Sequence, residues 1–229
     1  MDIVEAVKQR KSIRLFKPDP VPREILQEIM ELALRAPSWA NTQPWEFAIV
    51  SGSKLDEIKQ SFTEHKGEKM CPDIGLPGAF PEPYNSRHRA LSRRDAKVLK
   101  ASGEAMEVDQ WQPVQGSKMY GAPCVIYIYT GRSLYIKEDE VNAWPLFDCG
   151  LIAENIMLLA VNYGLGTVAA IQTVKYPDVL RSMLGIPDSK LIVLGIAIGY
   201  PEWDHAINRM YSEREPLDSV TRWYGFLDE

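Results

Sequence analysis

The sequence predicts an α+β chain in which short apolar runs alternate with amphipathic stretches. Two runs, Pro123 to Thr130 and Leu191 to Ile198, are rich in β-branched residues and read as buried strands. Apolar residues at helical spacing separate them. No strand leads into a Gly-x-Gly-x-x-Gly turn, so a doubly wound dinucleotide fold is not supported.

The elements follow in order. Asp2 to Arg10 carries Ile3, Val4, Ala6 and Val7, a short amphipathic helix. Pro18, Pro20 and Pro22 impose an extended stretch, and Pro22 suits the first turn of the next helix. There Ile25, Ile29, Leu32 and Ala36 make an apolar face, and Pro37 stops the helix. Trp45 to Val50 reads as a strand and Lys54 to Glu64 as a helix. Cys71 to Tyr84 is rich in proline and glycine and reads as a lid or surface excursion. Arg89 to Met106 is a basic helix. Leu146 to Tyr163 is apolar on nearly every side and is expected to be central and buried, with Gly164-Leu165-Gly166 ending it. Thr167 to Ile171 reads as a short strand and Pro177 to Leu184 as a helix. The 229 residues fit one domain with a polar, aromatic-tipped tail from Asn208 to Glu229.

Composition excludes several functions. A net charge of -5 argues against general nucleic-acid binding. No apolar run reaches the roughly 18 residues of a membrane span, and Met1 to Ser12 lacks a signal-peptide core, so a cytoplasmic protein without membrane or nucleic-acid partners is expected. Cys71, Cys124 and Cys149 are far apart, and His65, His88 and His205 are isolated, so neither a zinc site nor a Ser-His-Asp arrangement is expected. Cys124 and Cys149 sit among apolar residues and read as buried small hydrophobes.

Three segments carry polar groups suited to a cofactor. Arg10, Lys11, Ser12 and Arg14 follow the first helix. If the stretch is extended, alternation puts Arg10, Ser12 and Arg14 on one side. Two guanidiniums and a hydroxyl make an anion clamp, although a solvated surface accounts for the same residues. Pro37 to Trp45 is a turn-rich loop in which Asn41 and Gln43 both donate and accept hydrogen bonds. Arg214 lies in the charged tail before Pro216-Leu217.

Arg-x-Ser-x-Arg, Pro-Ser-x-x-Asn-x-Gln-Pro-Trp, Gly-Leu-Gly-Thr and Arg-x-Pro-Leu occur in that order. In this the chain resembles the FMN-dependent nitroreductase family over almost its whole length. The resemblance implies a mixed sheet flanked by helices in an intertwined homodimer, with FMN at the interface. It implies that Arg10 and Ser12, joined by Arg214, hold the FMN phosphate, that Lys11 is among the cofactor-binding residues, and that Arg14 lies near N1 and O2 of the ring. Pro37, Ser38, Asn41 and Gln43 would border the ring or ribityl chain. Ala169, Ala170, Ile171 and Gln172 would pass the flavin face and N5 edge. Residues 71–121 would form the substrate lid and 208–229 an arm around the partner. Trp39, Phe80, Tyr84, Trp111 and Tyr120 would stack on the acceptor, and the basic stretch from Arg87 to Lys100 would be a solvated face or a rim for an anion. The implied activity is NADH- or NADPH-dependent reduction of a nitroaromatic, quinone or other electron-poor acceptor, by ping-pong exchange through the flavin. The alternatives are a flavin-fragmenting enzyme of cobalamin lower-ligand synthesis and a non-catalytic flavin-binding protein.

Overall fold

The structure, a computed structural model, describes residues 1–65, 67–104, 106–137 and 140–226. Residue 105, inside the expected lid and basic helix, and residues 227–229, at the end of the expected arm, lie outside the described residues. The first half runs α1 (Ile3–Gln9), α2 (Arg23–Ala33), β1 (Trp45–Ser51), α3 (Gly52–Glu64), α4 (Tyr84–Ala101), α5 (Val108–Ser117) and β2 (Cys124–Gly131). Then come α6 (Arg132–Tyr135), β3 (Ile136–Lys137), β4 (Glu140–Val141), α7 (Trp144–Asn162), β5 (Gly166–Ala170), α8 (Pro177–Leu184), β6 (Lys190–Gly199), α9 (Ala206–Arg209) and α10 (Leu217–Val220).

Four strands form an antiparallel sheet in the order β1-β2-β6-β5. The parallel element of the expected mixed sheet is a single bridge, between Ser12 and Thr167. Both faces of the sheet are covered, which explains the continuous apolar runs. On β2, Cys124, Ile126 and Ile128 join Leu26, Ile29, Ile152 and Ile156 of α2 and α7 on one side. Val125 and Tyr127 join Leu55, Ile58, Phe62 and Leu180 of α3 and α8 on the other.

The expected elements recur with small shifts. Pro177 opens α8 and Gly185 closes it in the left-handed region at φ 67°. The basic helix starts earlier than expected, at Tyr84, and ends at Ala101. Sequence periodicity does not reveal α5, because Pro113 lies inside it. The apolar helix α7 is, by length and composition, long and apolar enough to cross a membrane, contrary to the expectation that no segment qualifies. Here Ile152, Ala153, Ile156 and Ala160 are core residues instead, while Trp144 and Phe147 stay more than half exposed.

The proline-rich segment is anchored where it begins. The amide of Cys71 donates to the Lys175 carbonyl at 3.0 Å, and Asp73 accepts from the Ile192 amide at 2.7 Å while pairing with Arg181. Farther on, Phe80 and Tyr84 are exposed.

Cys124 and Cys149 are buried, as expected, and burial pushes both thiols up to about 12, whereas Cys71 is exposed. An unfolded thiol ionises near pH 9, so each buried thiol contributes stability that is complete below that pH and lost as pH rises toward about 12. Titration with a thiol reagent at pH 8 is expected to modify Cys71 alone in the native protein and all three cysteines in denaturant. Rapid native reaction of two or more would contradict this packing.

Candidate active site

The segment after α1 is extended and lies along the free edge of β5. Ile13 donates its amide to the Thr167 carbonyl at 2.9 Å, and Ser12 bridges Thr167. Ile13 is buried, so alternation separates the polar residues on either side of it. Arg10 turns to α7, with Nε 3.2 Å from the Glu154 carboxylate. Arg14 reaches α4, with Nη2 3.9 Å from Asp95 Oδ2. Its side chain is 15% exposed, and among the described residues its guanidinium makes no hydrogen bond. The backbone here is held by Asn208, which is fully buried. Its Oδ1 accepts from the amides of Arg14 and Leu15 at 2.8 and 3.3 Å, and its Nδ2 donates to the carbonyls of Leu15 and Glu202 at 2.6 and 2.9 Å.

Lys11 has different neighbours from Arg10 and Arg14. Its ammonium lies 4.0 Å from the Tyr211 ring centroid and 4.9 Å from that of Trp203, on the side of Ile13. It lines a cleft of about 600 Å³ with Ile13, Gly166, Thr167, Trp203 and Tyr211. Burial pushes its ammonium below the usual lysine range. The aromatic faces attract the ammonium.

The loop 37–43 is a tight turn in which Ala40, Asn41 and Gln43 have φ of 48°, 56° and 44°. That region suits asparagine and is costly for the other two, so surrounding bonds must hold it. Ser38 Oγ accepts from the Gln43 amide at 2.9 Å. The Trp39 amide donates to both carboxylate oxygens of Asp148, each at 3.2 Å. Asp148 is a buried acid on the apolar helix α7. The Trp39 ring stacks on Trp144 at 6.4 Å. Pro37, Asn41 and Gln43 face outward; Gln43 Nε2 donates to the Asn41 carbonyl at 3.2 Å. No hydrogen bond or ion pair among the described residues joins this turn to Arg14 or to residues 169–172.

The stretch after Gly166 runs through β5 into a 3₁₀ turn, Ile171–Val174. Ala169 is exposed and Ala170 buried, and Ile171 and Gln172 are half-buried. Thr173 Oγ1 donates to the Ala170 carbonyl at 2.6 Å. Gln172 Oε1 is buried without a hydrogen-bond donor. Such an atom costs stability unless a further group approaches it.

Arg214 does not join Arg10 and Ser12 within the chain. It donates to the carbonyls of its own neighbours Ser212 and Glu213, at 3.0 and 3.1 Å, and lines a second cleft, about 1030 Å³, between α4 and the tail. The tail is drawn to α4 because Arg87 pairs with Glu215 at 2.7 Å and Arg94 donates to the Tyr211 carbonyl.

Two expected acceptor-stacking residues are also corrected. Trp111 is 1% exposed, in a small core with Leu99 and Ile207. Tyr120 is 3% exposed in the core of the α3 side, where burial pushes its phenol up and the nearby charge of Arg14 opposes that shift. Neither ring is available for stacking. Phe80, Tyr84 and Trp39 are exposed; Phe80 packs on His88 at 5.3 Å, and the Arg87 guanidinium lies 5.6 Å from the Tyr84 ring.

Asp95, Asp148 and Asn208 organise these segments without any motif marking them. The one available signal is an acid inside an apolar helix, which Asp148 gives. Asp148→Ala is expected to leave the Trp39 amide without its acceptor. It should lower stability by about 1–3 kcal/mol and loosen the turn, read by urea unfolding and by quenching of Trp39 fluorescence. Stability within error of the parent would show that the Asp148 bond does not hold the turn.

A sequence profile of the nitroreductase family matches residues 7–200. Nitroreductase NfnB of Mycolicibacterium smegmatis is 29% identical over 219 residues, covering 95% of this chain and 90% of the relative. The crystal structure of the FMN and NADPH-dependent nitroreductase NfnB from Sphigopyxis sp. strain HMH aligns with a TM-score of 0.89 at 27% identity, over 99% of this chain and 100% of that one. The FMN-dependent nitroreductase NfnB from Mycobacterium smegmatis in complex with NADPH aligns with a TM-score of 0.85 at 27% identity, over 97% and 100% of the two chains. With the profile spanning most of its length and the same architecture in both structures, the chain belongs to the nitroreductase family.

Proposed function

We propose that this protein is an FMN-dependent oxidoreductase that uses NADPH or NADH to reduce nitroaromatics, quinones or similar electron-poor acceptors by ping-pong exchange. The family match supports this, as do two similar structures described as FMN-dependent, one of them in complex with NADPH. The observation that carries it in this chain is Arg14, a largely enclosed guanidinium with no hydrogen-bond acceptor among the described residues. Bound FMN supplies hydride acceptance and donation.

The residues present fit that group. Arg10 and Ser12 hold the phosphate. The pair between Arg10 and Glu154 does not prevent this, because Glu154 is 47% exposed and such a pair is weak and exchangeable. Arg14 presents its donors to the N1–O2 edge, where a cation favours the negative charge of the reduced ring. Gln172 offers Oε1, which has no donor among the described residues, to the N5 side. Ser38, Asn41 and Gln43 border the ring, and Trp39, Phe80 and Tyr84 supply aromatic faces for the acceptor.

The functional unit in this reading is a cytoplasmic homodimer of one FMN-binding domain per chain. Ile3, Val4 and Val7 are each more than half exposed along α1, as are Trp144 and Phe147 at the start of α7. The turn 37–43 has no bonded link to Arg14 among the described residues of one chain, which a second copy supplies by bringing its own turn to the clamp.

Anaerobic visible spectra test the reaction class. Oxidised-flavin bands are expected to bleach with NADPH or NADH and to return with a nitroaromatic or a quinone. A colourless protein unable to take up added FMN would overturn the reading. Arg10→Ala is expected to weaken FMN binding by about 10- to 100-fold, the equivalent of losing one hydrogen bond to a charged group, as measured by flavin fluorescence titration. An unchanged affinity would remove Arg10 from the phosphate site.

A further inference from the structure

We propose that Asp95 is a positioning residue that limits how much of the Arg14 charge is offered to bound flavin, and so holds the flavin reduction potential down. The inference rests on the reading of Arg14 as the cation beside the ring.

Asp95 lies on α4 with its side chain 4% exposed. Its two oxygens face two different guanidiniums. Oδ1 accepts from Arg94 Nη2 at 3.0 Å, and Oδ2 lies 3.9 Å from Arg14 Nη2. Arg94 in turn donates to the Tyr211 carbonyl of the tail, and its Nε is buried without a partner among the described residues. One carboxylate therefore serves two cations in a mostly enclosed space, where charges are weakly screened.

A ligand that gains negative charge beside Arg14 competes with Asp95 for the same guanidinium. With Asp95 ionised, part of the Arg14 field is already neutralised, and the gain in binding on reduction is small. An asparagine in its place keeps the shape and still accepts from Arg94, but removes the competing charge. The reduced cofactor then becomes the anion facing both guanidiniums. Removal of Arg94 acts in the opposite sense, because Asp95 then answers to Arg14 alone. Asp95 and Arg94 both belong to α4, and Arg94 holds the tail. The helix that opens the lid region thereby reaches the electronics of the cofactor.

The test is the midpoint potential of the FMN-loaded protein, by anaerobic equilibration with a reference dye, beside FMN affinity by fluorescence. Asp95→Asn is expected to bind reduced FMN about tenfold more tightly relative to oxidised FMN, a rise of about 30 mV for a two-electron couple. Arg94→Gln is expected to lower the potential, and Asp95→Glu to stay near the parent. Potentials of Asp95→Asn and Arg94→Gln that do not move, or move the other way, while Arg14→Ala lowers the potential, would overturn the role of Asp95 alone. If Arg14→Ala alters neither potential nor affinity, the assignment of Arg14 fails and the inference fails with it. Should Asp95→Asn not fold, Arg94→Gln decides: a potential that does not fall overturns the proposal.

Discussion

One short pairing determines the geometry of the candidate site: the amide of Ile13 on the carbonyl of Thr167, with Ser12 bridging beside it. It lays residues 10–14 along the edge of the sheet and sets which side chains face which way. A slip of one residue would exchange the two sets. The register is protected by steric fit. A Cβ on Gly166 would lie 2.4 Å from Ile13 Cγ1, so the close approach of the segment requires glycine there. Ile13 fills that space, Phe16 pairs with Pro201 farther along, and Asn208 locks the backbone between them. The backbone that carries Arg10, Ser12 and Arg14 is thus fixed by an apolar anchor and an amide.

The same economy governs the two acids of α7. Asp148 and Glu154 lie six residues apart on α7, or about 9 Å along the helix axis. One fixes the strained turn at Trp39, and the other pairs with Arg10. A single helix therefore contacts both the turn and Arg10. Lys175 shows the contrasting case. Its ammonium is buried against the Ser117 hydroxyl at 2.6 Å with no carboxylate partner among the described residues, and desolvation pushes it below the usual lysine range. A buried charge met by one neutral acceptor is costly, and Lys175 lies just past the stretch assigned to the N5 edge.

The fold was legible wherever one period dominated. The helices Pro177–Leu184 and Arg23–Ala33 and the strand Lys190–Gly199 follow from apolar spacing and proline or glycine boundaries. The helix Val108–Ser117 was not legible, because local signals place a proline break inside it and its burial comes from distant Leu99 and Ile207. Motif spacing likewise singled out the segment 10–14 and the turn 37–43 but not the neighbours of each member. Lys11 belongs to a run of cations in sequence, yet alternation sends it to Trp203 and Tyr211. Trp111 and Tyr120 look like stacking residues by type and are core residues by packing, a distinction that composition does not carry. Asn208 acts across 194 residues on Arg14, and no local pattern could announce it.

The distribution of exposed apolar surface bears on why the pieces stay apart in one chain. Trp39 stacks on Trp144, which packs edge-on against Phe147, and all three rings are more than half exposed. An aromatic cluster of this kind beside a turn held in left-handed geometry is costly in water and useful only when covered. The turn is rigid before any ligand arrives, because Asp148 and Ser38 fix it from within its own chain. In the dimer we propose, rigidity of the turn lets a second copy present Asn41 and Gln43 with little loss of conformational freedom on assembly, while the aromatic cluster supplies the apolar contact. The binding of cofactor and the pairing of chains are then stabilised by the same buried acid, Asp148, although it touches neither.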